Sequence, residues 1–171
     1  LYVGKGGLTK IYSSFFDRVL KNDINILSPA EWHLSAMDFI EKILPAYPKI
    51  DLVDFDCYGC PALEIQKFFE TRRNKDCPLV VRFSDGLGLF MKRNKNEEVL
   101  RKRYWLEGKI DMNGVWNRHE QLIDYFFKAL GLRYQMKVTK IISVQTKHKN
   151  YVLGVYLFEN YSWEDKIIKK I

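Results

Sequence analysis

The sequence predicts an α/β fold in which helices alternate with mostly parallel strands and the last strand runs antiparallel. Three observations carry that expectation. Residues 1–3 are strand-like and lead through Gly4-Lys5-Gly6-Gly7 into a helix-like stretch at 8–16. A second apolar run, with Ile50, Leu52, Val53 and Phe55, ends in the carboxylates Asp54 and Asp56 and a turn at Gly59 and Pro61, as a buried strand does. Two long β-rich segments, 134–144 and 151–158, then close the chain as a hairpin across the polar turn 145–150.

Size and composition set the frame. At 171 residues with 47% hydrophobic and 15% aromatic content, the chain fits one globular domain with a sizeable core. There is no apolar run approaching the roughly 18 residues of a membrane helix, and no signal-peptide pattern. The expectation is a soluble, cytoplasmic protein. Because the first residue is Leu1 and already strand-like, residues are expected to precede it. Cys57, Cys60 and Cys77 are odd in number and close together, which fits a reducing compartment better than a disulfide framework. Cys57 and Cys60 make a C-x-x-C with no second pair, and His33, His119 and His148 are isolated, so no metal site is expected.

The net charge of +7 favours a polyanionic partner. Residues 82–109 hold eight Lys and Arg against four acids, and 137–149 hold four Lys, His148 and no acid. Charge concentrated in two segments reads as a footprint for nucleic acid, with Lys92, Arg93, Arg101 and Arg103 as contact candidates.

Taken in order, the glycines at 4, 6 and 7 allow close backbone approach to a ligand at the start of a helix. Residues 18–21 read as a second strand ending at Asn22-Asp23-Ile24. Asp23 lies 19 residues after Gly4, near the spacing of about 20 at which an acidic residue meets a ribose in dinucleotide-binding folds. Asp23 equally suits a turn cap with Asn22 and Asn25. Ser28-Pro29-Ala30-Glu31 carries a helix-start pattern. Residues 35–39 read as a third strand end or loop before a helical turn at 40–44, with Asp38 also suited to a cap and Phe39 to the core. The strand at 50–55 follows, then an amphipathic helix at 62–72, a strand at 79–83 and a loop around Asp85. A basic helix at 96–105, a loop at 108–117, an apolar helix at 119–130 ended by Gly131, the closing hairpin and a short helix from Trp163 complete the reading.

In this order the pieces resemble a class I S-adenosylmethionine-dependent methyltransferase over nearly the whole chain. LYVGKGG is similar to that family's glycine loop, KNDIN to its acidic second-strand end, SAMDF to its adenine-side loop and VDFDCYGCP to its catalytic strand end. The resemblance implies a three-layer, Rossmann-like, seven-stranded and mostly parallel sheet whose final strand is antiparallel. It implies S-adenosylmethionine as cofactor, held by Tyr2, Gly4 and Gly6 on the methionine side, by Asp23 at the ribose, and by Asp38, Ile24 and Phe39 at the adenine. Leu8 stands where the family's third glycine commonly falls.

Within the resemblance, Asp56-Cys57-Tyr58-Gly59-Cys60-Pro61 looks most like the D-P-F/Y-G-S-P motif of tRNA guanine-N2 methyltransferases, with Cys57 replacing the proline. It is more distantly similar to the D/N-P-P-Y/F motif of enzymes acting on exocyclic base amines. This implies Asp56 as acceptor of the amine hydrogens and Tyr58 as stacking platform, on RNA in preference to DNA. A C5-cytosine enzyme would place its cysteine directly after a proline, whereas Pro61 follows Cys60. A small-molecule methyltransferase and a non-catalytic nucleic-acid-binding module are the alternatives; a nicotinamide enzyme shares the glycine loop and acidic residue but not the closing hairpin.

Overall fold

The computed structural model describes residues 7–56, 59–72, 77–87, 97–108, 110–146 and 151–161. Their core is one mixed four-stranded sheet. Helix α1 (Gly7–Ser13) and helix α2 (Ala36–Lys42) precede strand β1 (Leu52–Asp56). Helix α3 (Ala62–Thr71) leads to β2 (Leu79–Asp85), and α4 (Glu97–Tyr104), α5 (Met112–Asn117) and α6 (His119–Tyr134) lead to β3 (Met136–Gln145) and β4 (Val152–Asn160).

The strand order is β1-β2-β4-β3. β1 and β2 run parallel with Val53 beside Val81 and Phe55 beside Phe83. β4, last in sequence, lies between β2 and β3 and is antiparallel to both. The expected closing hairpin and its antiparallel last strand are therefore present. The seven-stranded, mostly parallel Rossmann-like sheet is not: the described sheet has four strands, and two of its three pairings are antiparallel.

Of the three further strands expected, the one at 1–3 lies outside the described residues, and those at 18–21 and 35–39 do not form. Residues 18–21 form no strand; only Asn22 bridges to Trp32. The Asn22 amide clamps Leu34 from both sides, accepting from its N–H at 3.1 Å and donating to its carbonyl at 3.0 Å. With its polar groups satisfied locally, this stretch folds as a loop. The helix expected from Ser28 does not form either: residues 26–29 turn and bend, and Trp32 packs 5.4 Å from the Phe39 ring of α2. Residues 35–39 are helix instead of strand end: the Ser35 hydroxyl accepts from the Asp38 N–H and caps α2. The expected loop at 108–117 contains α5.

One sheet face carries Val53, Phe55, Leu79, Val81, Phe83, Tyr156 and Phe158, all buried. α3 covers it through Phe68, 6.0 Å from Phe55, and Phe69, 4.6 Å from Phe158. α6 covers it through Phe127, stacked at 4.1 Å on Tyr156. The buried positions of α3, Ala62, Ile65, Phe68 and Phe69, recur at helical spacing, which is why this helix was legible as a pattern. α6 runs past Gly131 to a left-handed cap at Gln135. A Cβ at Gly131 would run into the Val138 side chain and meet the Met136 carbonyl at 2.7 Å, so the glycine brings the last turns of α6 against β3 instead of ending the helix. Among the described residues no helix is long and apolar enough to cross a membrane.

Candidate functional site

The carboxyl ends of β1 and β2 lie side by side because the strands are parallel and in register, and open α/β sheets bind ligands at such edges. Three hydrogen bonds fix the chain leaving this edge. The Gly86 N–H donates to the Gly59 carbonyl at 2.7 Å, joining the two loops. Arg103 of α4 donates to the Cys60 carbonyl at 2.8 Å. The Tyr104 hydroxyl lies 2.8 Å from the Cys60 sulfur.

Beneath the loops is a buried polar network. Asp85, 1% exposed, accepts from the Tyr104 hydroxyl at 2.6 Å, from the Leu87 N–H at 2.8 Å and from His119 Nε2 at 3.1 Å. His119 Nδ1 is buried and has no hydrogen-bond partner among the described residues. Burial, reinforced by the Asp85 charge, pushes both the Tyr104 hydroxyl and the Cys60 thiol well above their ordinary values. Cys60 is therefore a neutral thiol in the core, which removes it as a nucleophile. The network joins α4 and α6 to β2, and sequence reading missed it because its members are scattered from 60 to 119.

The opposite sheet face carries a charged cluster. Asp54 accepts from Arg82 at 2.5 Å and from the Tyr12 hydroxyl of α1 at 2.7 Å. Asp56 is 4.0 Å from the same guanidinium, but its side chain remains 44% exposed. The two carboxylates share one face of β1 but differ in burial: Asp54 is tied to Arg82 and Tyr12, and Asp56 faces solvent at the edge.

The residues expected to hold S-adenosylmethionine are not gathered. Asp23 accepts from the Asn25 N–H at 2.9 Å, the turn-cap alternative. Ile24 is 67% exposed. Asp38 accepts from Ser35 at 2.6 Å and pairs with Lys42 at 2.5 Å, which, Lys42 first, lowers its pKa. Phe39 is a core residue at 1% exposure. A cofactor cradle needs a carboxylate free for the ribose beside a gap for the base, and the described residues do not build one here. Tyr2, Gly4, Gly6 and Tyr58 lie outside the described residues, as does Cys57.

The expected nucleic-acid contacts divide similarly. Arg101 pairs with Glu97 at 3.5 Å along α4. Arg103 is turned inward onto Cys60, and Lys92 and Arg93 lie outside the described residues. Among the described residues no three His, Cys, Asp or Glu side chains are grouped to hold a metal ion. Comparison with protein-family models, with curated proteins and with solved structures finds no match.

Proposed function

We propose that this chain presents an exocyclic base amine of a nucleic acid, RNA before DNA, for methylation, with Asp56 accepting the amine hydrogens. One observation carries the reading: Asp56 is the last residue of β1, exposed at the edge shared with β2, and the motif-like Gly59-Cys60-Pro61 that follows it is tied down by Gly86 and Arg103. An exocyclic amine is a poor nucleophile because its lone pair is delocalised into the ring. A fixed carboxylate that accepts its hydrogens returns density to the nitrogen. S-adenosylmethionine is the donor that the resemblance implies; its sulfonium methyl would have to lie in line with the amine that Asp56 orients, the N–C bond forming as the C–S bond breaks.

The test is incubation with isotopically labelled S-adenosylmethionine and mixed cellular RNA and DNA, followed by nucleoside identification. The expected product is an amine-methylated base, more in RNA than in DNA, with Asp56→Ala reducing the rate by about 100-fold or more. Full activity in that variant would remove the role. A second reading, a binding module without catalysis, is favoured by the local bonding of Asp23 and Asp38. Salt-sensitive RNA binding with no heat of S-adenosylmethionine binding would select it.

A further inference from the structure

A half-open cavity of about 200 Å³ lies against Leu52, Val53 and Asp54 of β1, lined by α1, residues 18–21 and Phe39 of α2. Leu20, Phe39, Leu44 and Ile50 give it an apolar floor. Tyr12, Phe16 and Tyr47 give it aromatic walls. We infer that this cavity takes a nucleobase whose attached phosphate lies at the mouth, held by Arg18 and Lys21.

Size and charge argue for that division. Pockets that enclose a whole drug-sized ligand run to roughly 300–1,000 Å³, so this one suits a single heterocycle with the rest of the ligand outside. Every base has a π-face, and stacking on aromatic side chains contributes about 1–3 kcal/mol per base. The cavity's carboxylates are already engaged: Asp54 by Arg82 and Tyr12, Asp51 by Lys49 at 3.7 Å. Arg18 and Lys21 have no carboxylate within ion-pairing distance among the described residues. Arg18 is instead held over the Tyr47 ring, 5.0 Å from its centroid, with one N–H donated to the Tyr47 hydroxyl at 3.1 Å. Its remaining donors form a fork preset for a phosphate beside an aromatic wall. Two cations without a carboxylate partner among the described residues, beside an apolar, ring-lined recess, fit an aromatic anion better than a neutral ring or a bare ion.

A base joined to phosphate is found both in free nucleotides and along a nucleic-acid strand, and calorimetry on the full chain separates the two. The probes are adenosine 5′-monophosphate, adenosine, inorganic phosphate and a single-stranded oligoadenylate. The monophosphate is expected to bind roughly ten-fold more tightly than adenosine or phosphate alone, and Arg18→Ala/Lys21→Ala to remove that advantage while leaving the binding of adenosine itself in place. Oligoadenylate binding that exceeds the monophosphate's and shows the same sensitivity assigns the site to a strand; equal affinities assign it to free nucleotide. No binding of either at millimolar concentration, or binding indifferent to the double variant, overturns the inference. Asp56→Asn, at the other end of β1, is expected to leave monophosphate binding unchanged, so failure of the methylation reading and failure of this one are read separately.

Discussion

Tyr12 and Asp54 are 42 residues apart and meet at 2.7 Å, the phenol of α1 donating to a carboxylate in the middle of β1. Much of the rest of α1 faces solvent, with Ile11 53% exposed and Leu8 37% exposed, so this bond is its main polar fastening to the sheet. Tyr12→Phe is expected to cost about 1 kcal/mol in urea unfolding. Asp54→Ala is expected to cost about 3 kcal/mol, because it also takes the 2.5 Å carboxylate from the Arg82 guanidinium, which is only 25% exposed and keeps only the looser contact with Asp56 at 4.0 Å among the ion pairs of the described residues. Equal costs for the two substitutions would show that the arginine pair contributes nothing.

Stability is expected to fall at alkaline pH. Tyr12, Tyr104 and Tyr156 all have raised pKa values, in each case first through burial and then through an adjacent carboxylate, Asp54, Asp85 and Asp124 respectively. The unfolded chain therefore gives up these protons first. The stabilisation is full below the unfolded tyrosine pKa of about 10 and is lost as pH rises beyond it. Ultraviolet titration should show the three phenols ionising together with loss of helix signal. Reversible ionisation with the fold intact would contradict this.

Arg103 has the composition of a phosphate contact and the position of a brace. Arg103→Ala is expected to lower stability by about 2 kcal/mol through the lost bond to the Cys60 carbonyl. The salt dependence of nucleic-acid binding should be unchanged, since no counterion-releasing charge is removed from the interface. A shallower slope in a salt titration would restore Arg103 to the binding surface.

Gly131→Ala tests the contact between α6 and β3. Alanine ordinarily favours a helix over glycine, yet here its methyl would press on the Met136 carbonyl, a backbone atom that cannot rotate away. The expected result is a loss of about 2 kcal/mol in thermal or urea unfolding. A gain in stability would mean that the strand yields.

The legible parts of the fold were those whose burial is periodic along the sequence. β1 alternates into the core through Val53 and Phe55, α3 and α6 carry stripes at helical spacing, and the hairpin is long enough to declare itself. The helix expected at 8–16 is present as α1, but the strand expected at 18–21 is not, because short apolar pairs such as Val19-Leu20 do not distinguish a strand from a loop that packs one side chain inward. Ser35 and Asp38, three apart, form a capping signal that was present in the sequence; the expectation of a third strand overrode it. At the site, the alternation of Asp54 and Asp56 on one face of β1 was readable. The Asp85, Tyr104 and His119 network was not, since no spacing in sequence announces residues that meet only when two helices close over a strand.

The position of β4 has a consequence for synthesis. It is the last described strand to leave the ribosome, yet it is the inner strand on which β2 and β3 both pair. Until residues 152–160 emerge, the inner edge of β2 and the whole of β3 have unsatisfied backbone groups, and the aromatic layer of Phe83 and Phe127 lacks Tyr156. A nascent chain paused before that point would hold the β1–β2 pair and an unpaired β3, which makes this interval one in which a chaperone would matter.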